Sequence, residues 1–143
     1  IWYLEDGSLI RPLSDHASWV SSLVVLPNGN LASGSRDRII NIWNPEDGSI
    51  VRVLNGNEDW LRTLINLPDG HLASGSDDGL IIIWDLNNGE IVASLDENKG
   101  QVIHLISFSS NKENFIASTS GNNIVIWKYL SKNTYCRSRR KQH

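Results

Sequence analysis

Short β-branched and aliphatic runs alternate with small polar turns along the chain. Between Trp19 and Leu54 the runs read "WVSSLVVL", "NLASGS", "RIINIW" and "SIVRVL", rich in the residues that suit a pleated, half-buried surface. Asp-Gly or Asn-Gly pairs fall at 6/7, 28/29, 47/48, 69/70, 78/79 and 88/89. Such pairs supply the positive φ at both central residues that a type I′ hairpin turn requires. A helix would lose about 1 kcal/mol at each of those glycines. The pattern therefore predicts antiparallel meanders of four short strands. The third run of each meander, "IINIW" and later "LIIIW", is nearly continuous in apolar residues, as in a strand covered on both faces.

The spacing is a true repeat. Leu13 to Val53 laid over Leu54 to Ser94 without a gap matches at 18 of 41 positions, and "LPNGNLASGS" returns as "LPDGHLASGS". A period near 40 residues with four strands per period is that of a propeller blade. One four-stranded sheet cannot bury two apolar faces by itself, so blades must stack, and stacking about an axis gives the propeller. The segments "LASGSRDRIINIWN" and "LASGSDDGLIIIWD" resemble the end of a WD40 repeat, down to the Trp84-Asp85 pair. The resemblance extends from Ile1 to about Leu130 and implies an all-β fold of WD40 propeller blades.

On that basis residues 14–54 and 55–95 are two complete blades. Residues 1–13 are the outer strand of a preceding blade, since Trp2 aligns with Trp43 and Leu13 with Leu54. Residues 96–130 are a degenerate blade, with three residues added before "FIAS" and one removed before "IVIW", and with no clear outer strand. Residues 131–143 are expected to be a basic, disordered tail containing only a weak strand candidate at Thr134 to Cys136. About three and a quarter blades fall short of the four to eight that close a ring. The chain, which contains no methionine, thus reads as a C-terminal fragment. Its open faces would be covered by the remaining blades of a parent propeller or by a second copy exchanging strands.

The resemblance also implies residue roles. His16, Ser33, Asp37 and Trp43 would form a buried hydrogen-bond network, with Asp37 in the tight turn accepting from His16, and Ser33 between His16 and the Trp43 indole. The next blade would use Asn57, Ser74, Asp78 and Trp84, and the third Ser118 and Trp127, with Asn122 the nearest substitute for the missing turn aspartate. Ser, His and Asp in one blade invite comparison with a hydrolytic triad. However, Ser33 lies in "LASGS" rather than in a strained nucleophile elbow, and the repeat replaces the histidine by Asn57, which cannot relay a proton. Family members most often contact partners through the residue ending the lead-in loop, the one two further on, and the one before the turn aspartate. Here these are Trp19, Ser21 and Arg36, then Trp60, Arg62 and Asp77. Trp and Arg are the types that most often carry interface energy, and the two indoles equally suit a capping role on their blades.

Composition narrows the function classes. The 143 residues include 13 Lys and Arg against 16 Asp and Glu. "RSRRK" at 137–141 holds four of the basic residues, leaving a body of net charge about −7 and a basic end. An acidic body lacks the basic face that phosphate-backbone binding needs, which makes nucleic acid an unfavoured ligand. The longest unbroken apolar run, Leu80 to Trp84, is far too short to cross a membrane. The single cysteine, Cys136, rules out an internal disulfide, and the four histidines never cluster with it at metal-ligand spacing. No cofactor, metal or small-molecule substrate is implied. The reading is a non-enzymatic scaffold for protein or peptide partners, in an intracellular and by default cytoplasmic setting, with the basic end a weak nuclear-import signal. The alternative is the targeting or regulatory arm of a larger multidomain enzyme or signalling protein.

Overall fold

The computed structural model describes residues 1, 4–96, 98–130 and 134–138, with side chains as far as Lys128. The described residues form three four-stranded antiparallel sheets. The first comprises β1 (Val20–Val25), β2 (Leu31–Ser35), β3 (Ile40–Trp43) and β4 (Ile50–Leu54). The second comprises β5 (Leu61–Asn66), β6 (Leu72–Ser76), β7 (Ile81–Trp84) and β8 (Ile91–Leu95). The third comprises β9 (Val102–Ser110), β10 (Glu113–Ser120), β11 (Asn123–Leu130) and β12 (Thr134–Ser138). Each is a simple meander, and the glycines of the six turns named above take positive φ, between 70° and 87°, but the Asn or Asp before each does not, so these turns are not the type I′ expected. Among the described residues no helix is long and apolar enough to cross a membrane.

The sheets stack face to face and lie closest along β1, β5 and β9. Strand β7 shows why its sequence is apolar throughout. Ile82 and Trp84 belong to the core shared with the first sheet, and Ile81 and Ile83 to the core shared with the third. The period-2 alternation of a strand splits one apolar run between two interfaces. The leading strands give the complementary observation. Leu23, Leu64 and Leu105 occupy one register position, opposite Ser33, Ser74 and Ser118. Leu64 and Leu105 are each 5% exposed under the preceding sheet, whereas Leu23 is 63% exposed. At the other end Ile124 is 63% exposed where Ile40 and Ile81 are fully buried. The same side chain is core or surface according to whether a neighbouring sheet covers it.

Close approach between sheets needs a missing side chain at one point. A Cβ at Gly34 would lie 3.3 Å from Leu64, and one at Gly75 would lie 2.5 Å from Val102. The glycine of "LASGS" is therefore the socket for the next sheet's leading strand, and the third sheet carries Thr119 there. Polar staples accompany the apolar contact. The Leu64 amide donates to Ser22 Oγ (3.0 Å), and Asn66 Nδ2 donates to the Val25 carbonyl (2.6 Å). Arg52 reaches from β4 to the β7–β8 turn, donating to the carbonyls of Asn88 (2.9 Å) and Asn87 (3.1 Å).

Ile1 and Arg11 exchange backbone hydrogen bonds, the pairing that Ile42 and Arg52 make 41 residues later. The third sheet departs from expectation. The three added residues lengthen the β9–β10 hairpin, which closes through Asn111 and Lys112, both at positive φ, beneath a stacked Phe108–Phe115 pair. The expectation of a third blade without an outer strand, followed by a disordered tail from 131, is corrected at 134–138. Thr134–Ser138 pairs with β11 in the register Leu130↔Thr134 to Ile126↔Ser138. Strand β11 continues past Trp127 to Leu130, so the ladder it offers lies farther along than the first two sheets suggest. Residues 131–133 and 139–143 lie outside the described residues, as do the side chains of β12, including Cys136.

Leu64→Ala should destabilise the chain by about 2–5 kcal/mol through lost burial and the cavity left against Gly34. Leu23→Ala, at the same register position, should cost under about 0.5 kcal/mol. Urea unfolding of the two variants checks this, and similar losses at both positions would mean that the sheets are not stacked as described.

Candidate functional site: the loop end of the first two sheets

The β2–β3 and β6–β7 turns and the loops leading into β1 and β5 lie at one end of the sheets, and the β1–β2 and β3–β4 turns at the other. At the first end each sheet carries the polar network expected for it, with decreasing completeness. In the first sheet the Trp43 indole N–H donates to Ser33 Oγ (2.8 Å), which lies 2.6 Å from His16 Nε2, and His16 Nδ1 lies 2.8 Å from Asp37. A carboxylate only accepts, so Nδ1 donates to Asp37. Asp37 also accepts from the amides of Ala17 and Ile39, both at 2.9 Å. Burial would raise the Asp37 carboxyl, but the bond from His16 and those from the Ile39 and Ala17 amides outweigh it and hold its pKa below the ordinary value. Ser33 is buried beneath this set, and its oxygen is engaged in bracing β2, β3 and the lead-in loop.

In the second sheet the Trp84 indole donates to Ser74 (2.9 Å), and the Ser74 hydroxyl to Asn57 Oδ1 (3.3 Å). Asn57 is shorter than histidine and does not reach the turn. Asp78 instead accepts from the Ser76 hydroxyl and the Leu80 amide, and Asn57 Nδ2 finds no partner among the described residues. In the third sheet Ser118 donates to Asn98 Oδ1 (2.9 Å), and Asn98 Nδ2 to the Gly79 carbonyl of the sheet before it (3.1 Å). Asn98 was missed from sequence although it lies 41 residues beyond Asn57, a position the period alone identifies. Asn122 sits in the two-residue β10–β11 turn. Trp127 is buried, but its indole N–H finds no partner among the described residues. Its expected bond to Ser118 is absent, in the sheet where the tryptophan follows the serine by nine residues rather than ten.

The six candidate contact residues divide into three groups. Ser21 and Arg62 are the extra residues of β-bulges, between Val20 and Ser22 and between Leu61 and Thr63, a device that re-aims a side chain beside a functional surface. The Ser21 hydroxyl contacts the carbonyls of Gly34 and Leu61 and so joins two sheets. Arg62 forms a two-point ion pair with Asp77, through Nε to Oδ1 and Nη2 to Oδ2, which raises the Arg62 pKa further through that hydrogen bond. The remaining three come together. The Arg36 guanidinium stacks 4.3 Å from the centre of the Trp19 ring and 4.8 Å from that of Trp60. Trp19 is 70% and Trp60 43% exposed, so the stack stands at the surface and bridges two sheets. The Arg36 amide donates to the Trp19 carbonyl (2.9 Å), and the Asp77 amide to that of Trp60 (3.0 Å). In the third sheet the corresponding residues are Gln101, Ile103 and Gly121, and the aromatic surface ends there.

Stacked four-stranded meanders braced by a Trp–Ser–His–Asp set define repeat-built β-propeller blades. The WD40 repeat pattern, "WD domain, G-beta repeat", matches residues 7–44 and 48–85, together more than half of the chain, and the protein belongs to the WD40 repeat family. The second matched segment runs from β4 of the first sheet through β5, β6 and β7 of the second, so that repeat links consecutive blades covalently. No curated protein matches the chain. WD40 repeats generally mediate protein–protein interaction and are typically non-enzymatic.

His16→Ala should cost about 1–3 kcal/mol, because it leaves buried Ser33 and Asp37 short of partners; thermal or urea unfolding measures the loss. The depressed Asp37 pKa fixes the acid behaviour. Its stabilisation is complete above the unfolded value of about 3.9 and is lost as pH falls through the lower folded value. Asp37→Asn should therefore flatten the decline in stability below about pH 4 seen in urea titrations.

Proposed function

We propose that this protein is a non-enzymatic interaction scaffold that holds protein partners on the loop end of its first two blades. The carrying observation is the Trp19–Arg36–Trp60 stack. Two large, exposed indoles bracketing one guanidinium place the residue types richest in interface energy on a single patch. The patch has a firm base, since the His16 network fixes the loop leading to Trp19 and the Arg62–Asp77 pair stiffens the start of β5 beside Trp60. A rigid surface loses little entropy when it is covered, which favours association. Of the six candidates, Trp19, Trp60 and Arg36 offer contact chemistry, while Ser21, Arg62 and Asp77 set its geometry.

The test is affinity purification with quantitative mass spectrometry from cells expressing the tagged protein. The Trp19→Ala/Trp60→Ala double variant should lose partner recovery by at least tenfold while its circular dichroism is unchanged. Glu46→Lys, in the β3–β4 turn at the opposite end, should leave recovery intact. Loss through Glu46→Lys with retention in the double variant would place the partner surface at the other end.

A further inference from the structure

The guanidinium of Arg36 is held but not neutralised. Its central carbon lies over both the Trp19 and the Trp60 ring, 4.3 Å and 4.8 Å from their centres, and its five N–H donors remain as its open chemistry. Among the described residues only the backbone amide of Arg36 donates a hydrogen bond, to the Trp19 carbonyl, and its guanidinium makes no ion pair. The second blade shows what a satisfied version looks like. There the bulge residue is Arg62, and the residue before the turn aspartate is Asp77, whose two oxygens accept from the Nε and Nη2 edge of Arg62. In the first blade the bulge residue is Ser21, occupied with two carbonyls, and the residue before the turn aspartate is Arg36 itself. The carboxylate of the pair is missing.

The nearby acids do not supply it. Asp37 faces inward to His16 and two amides, Asp59 accepts from the Trp60 amide, and Asp77 is committed to Arg62. A guanidinium held over two aromatic rings, with no ion pair of its own among the described residues, is preorganised for two parallel hydrogen bonds to an oxyanion.

We propose that Arg36, clamped between Trp19 and Trp60, is the anchor for an anionic side chain on the protein partner, either an Asp or Glu carboxylate or a phosphoryl group on Ser, Thr or Tyr. This rests on the partner-binding reading of the same face. The anion takes the guanidinium edge that Asp77 takes on Arg62, and the exposed indole surfaces flank the residues on either side of it. The two sources share one chemistry and differ in the number of oxygens offered.

The experiment uses the full chain, immobilised, and four degenerate nonapeptide libraries whose fixed central residue is glutamate, glutamine, phosphoserine or serine. Retention of the glutamate or phosphoserine library at least tenfold above its neutral counterpart is expected, and the arm that is enriched identifies the source. Arg36→Gln should abolish the enrichment. Arg36→Lys, which keeps the charge without the flat fork, should reduce it at least threefold, each variant being checked for fold by circular dichroism. Equal retention of acidic and neutral libraries overturns the anion anchor and leaves the partner-binding face standing. Enrichment that survives Arg36→Gln likewise overturns it, since the anion is then held elsewhere. Retention of none of the libraries counts against both readings.

Discussion

Every four-stranded blade in this protein has two apolar faces and can cover neither alone. That constraint organises the rest of the structure. Leu64 and Leu105 are buried only because a neighbouring sheet lies over them, while Leu23, in the same register, stands largely in solvent. Strand β7 divides its four apolar residues between two cores. The glycines of "LASGS" are the counterpart, since a side chain at Gly75 would strike Val102. Stability is thus shared between nearest neighbours, as in any repeat architecture.

The polar networks do a different job from the cores. Burial holds the sheets together without direction, whereas the set from Trp43 through Ser33 and His16 to Asp37 fixes where the lead-in loop and the β2–β3 turn sit relative to each other. The binding face grows out of that geometry. Trp19 follows the loop that Ala17 and His16 tie to Asp37, and Arg36 immediately precedes that aspartate. A network that is complete in the first blade and reduced to Asn57 and Asn98 in the next two puts the firmest scaffolding beneath the stack.

Much of this was legible in the sequence, for identifiable reasons. Turn glycines, strand runs and the 41-residue period act locally, so they give the four-stranded blades directly, and the resemblance to WD40 repeats supplies the residues of the first network. What escaped depends on partners brought in from other blades or on local departures from the repeat. Asn98 was hidden by the irregular segment that follows it, although the period points to it. Strand β12 has no glycine turn to announce it and exists because β11 is long enough to offer a ladder. Residue type singled out Trp19, Arg36 and Trp60 as separate contact positions. Nothing in the sequence indicates that one guanidinium sits between both rings, because Trp60 arrives from the next blade.

The central claim is that covering both faces of a blade, rather than its internal ladder, sets its stability. Native-state hydrogen exchange tests this most directly, because it ranks the opening free energies of individual strands. The account predicts the slowest exchange in β6 and β7, whose sheet is covered on both faces, and faster exchange in the corresponding strands β2, β3, β10 and β11. Equal protection across the three sheets, or the greatest protection in the third with its longer strands, would contradict it.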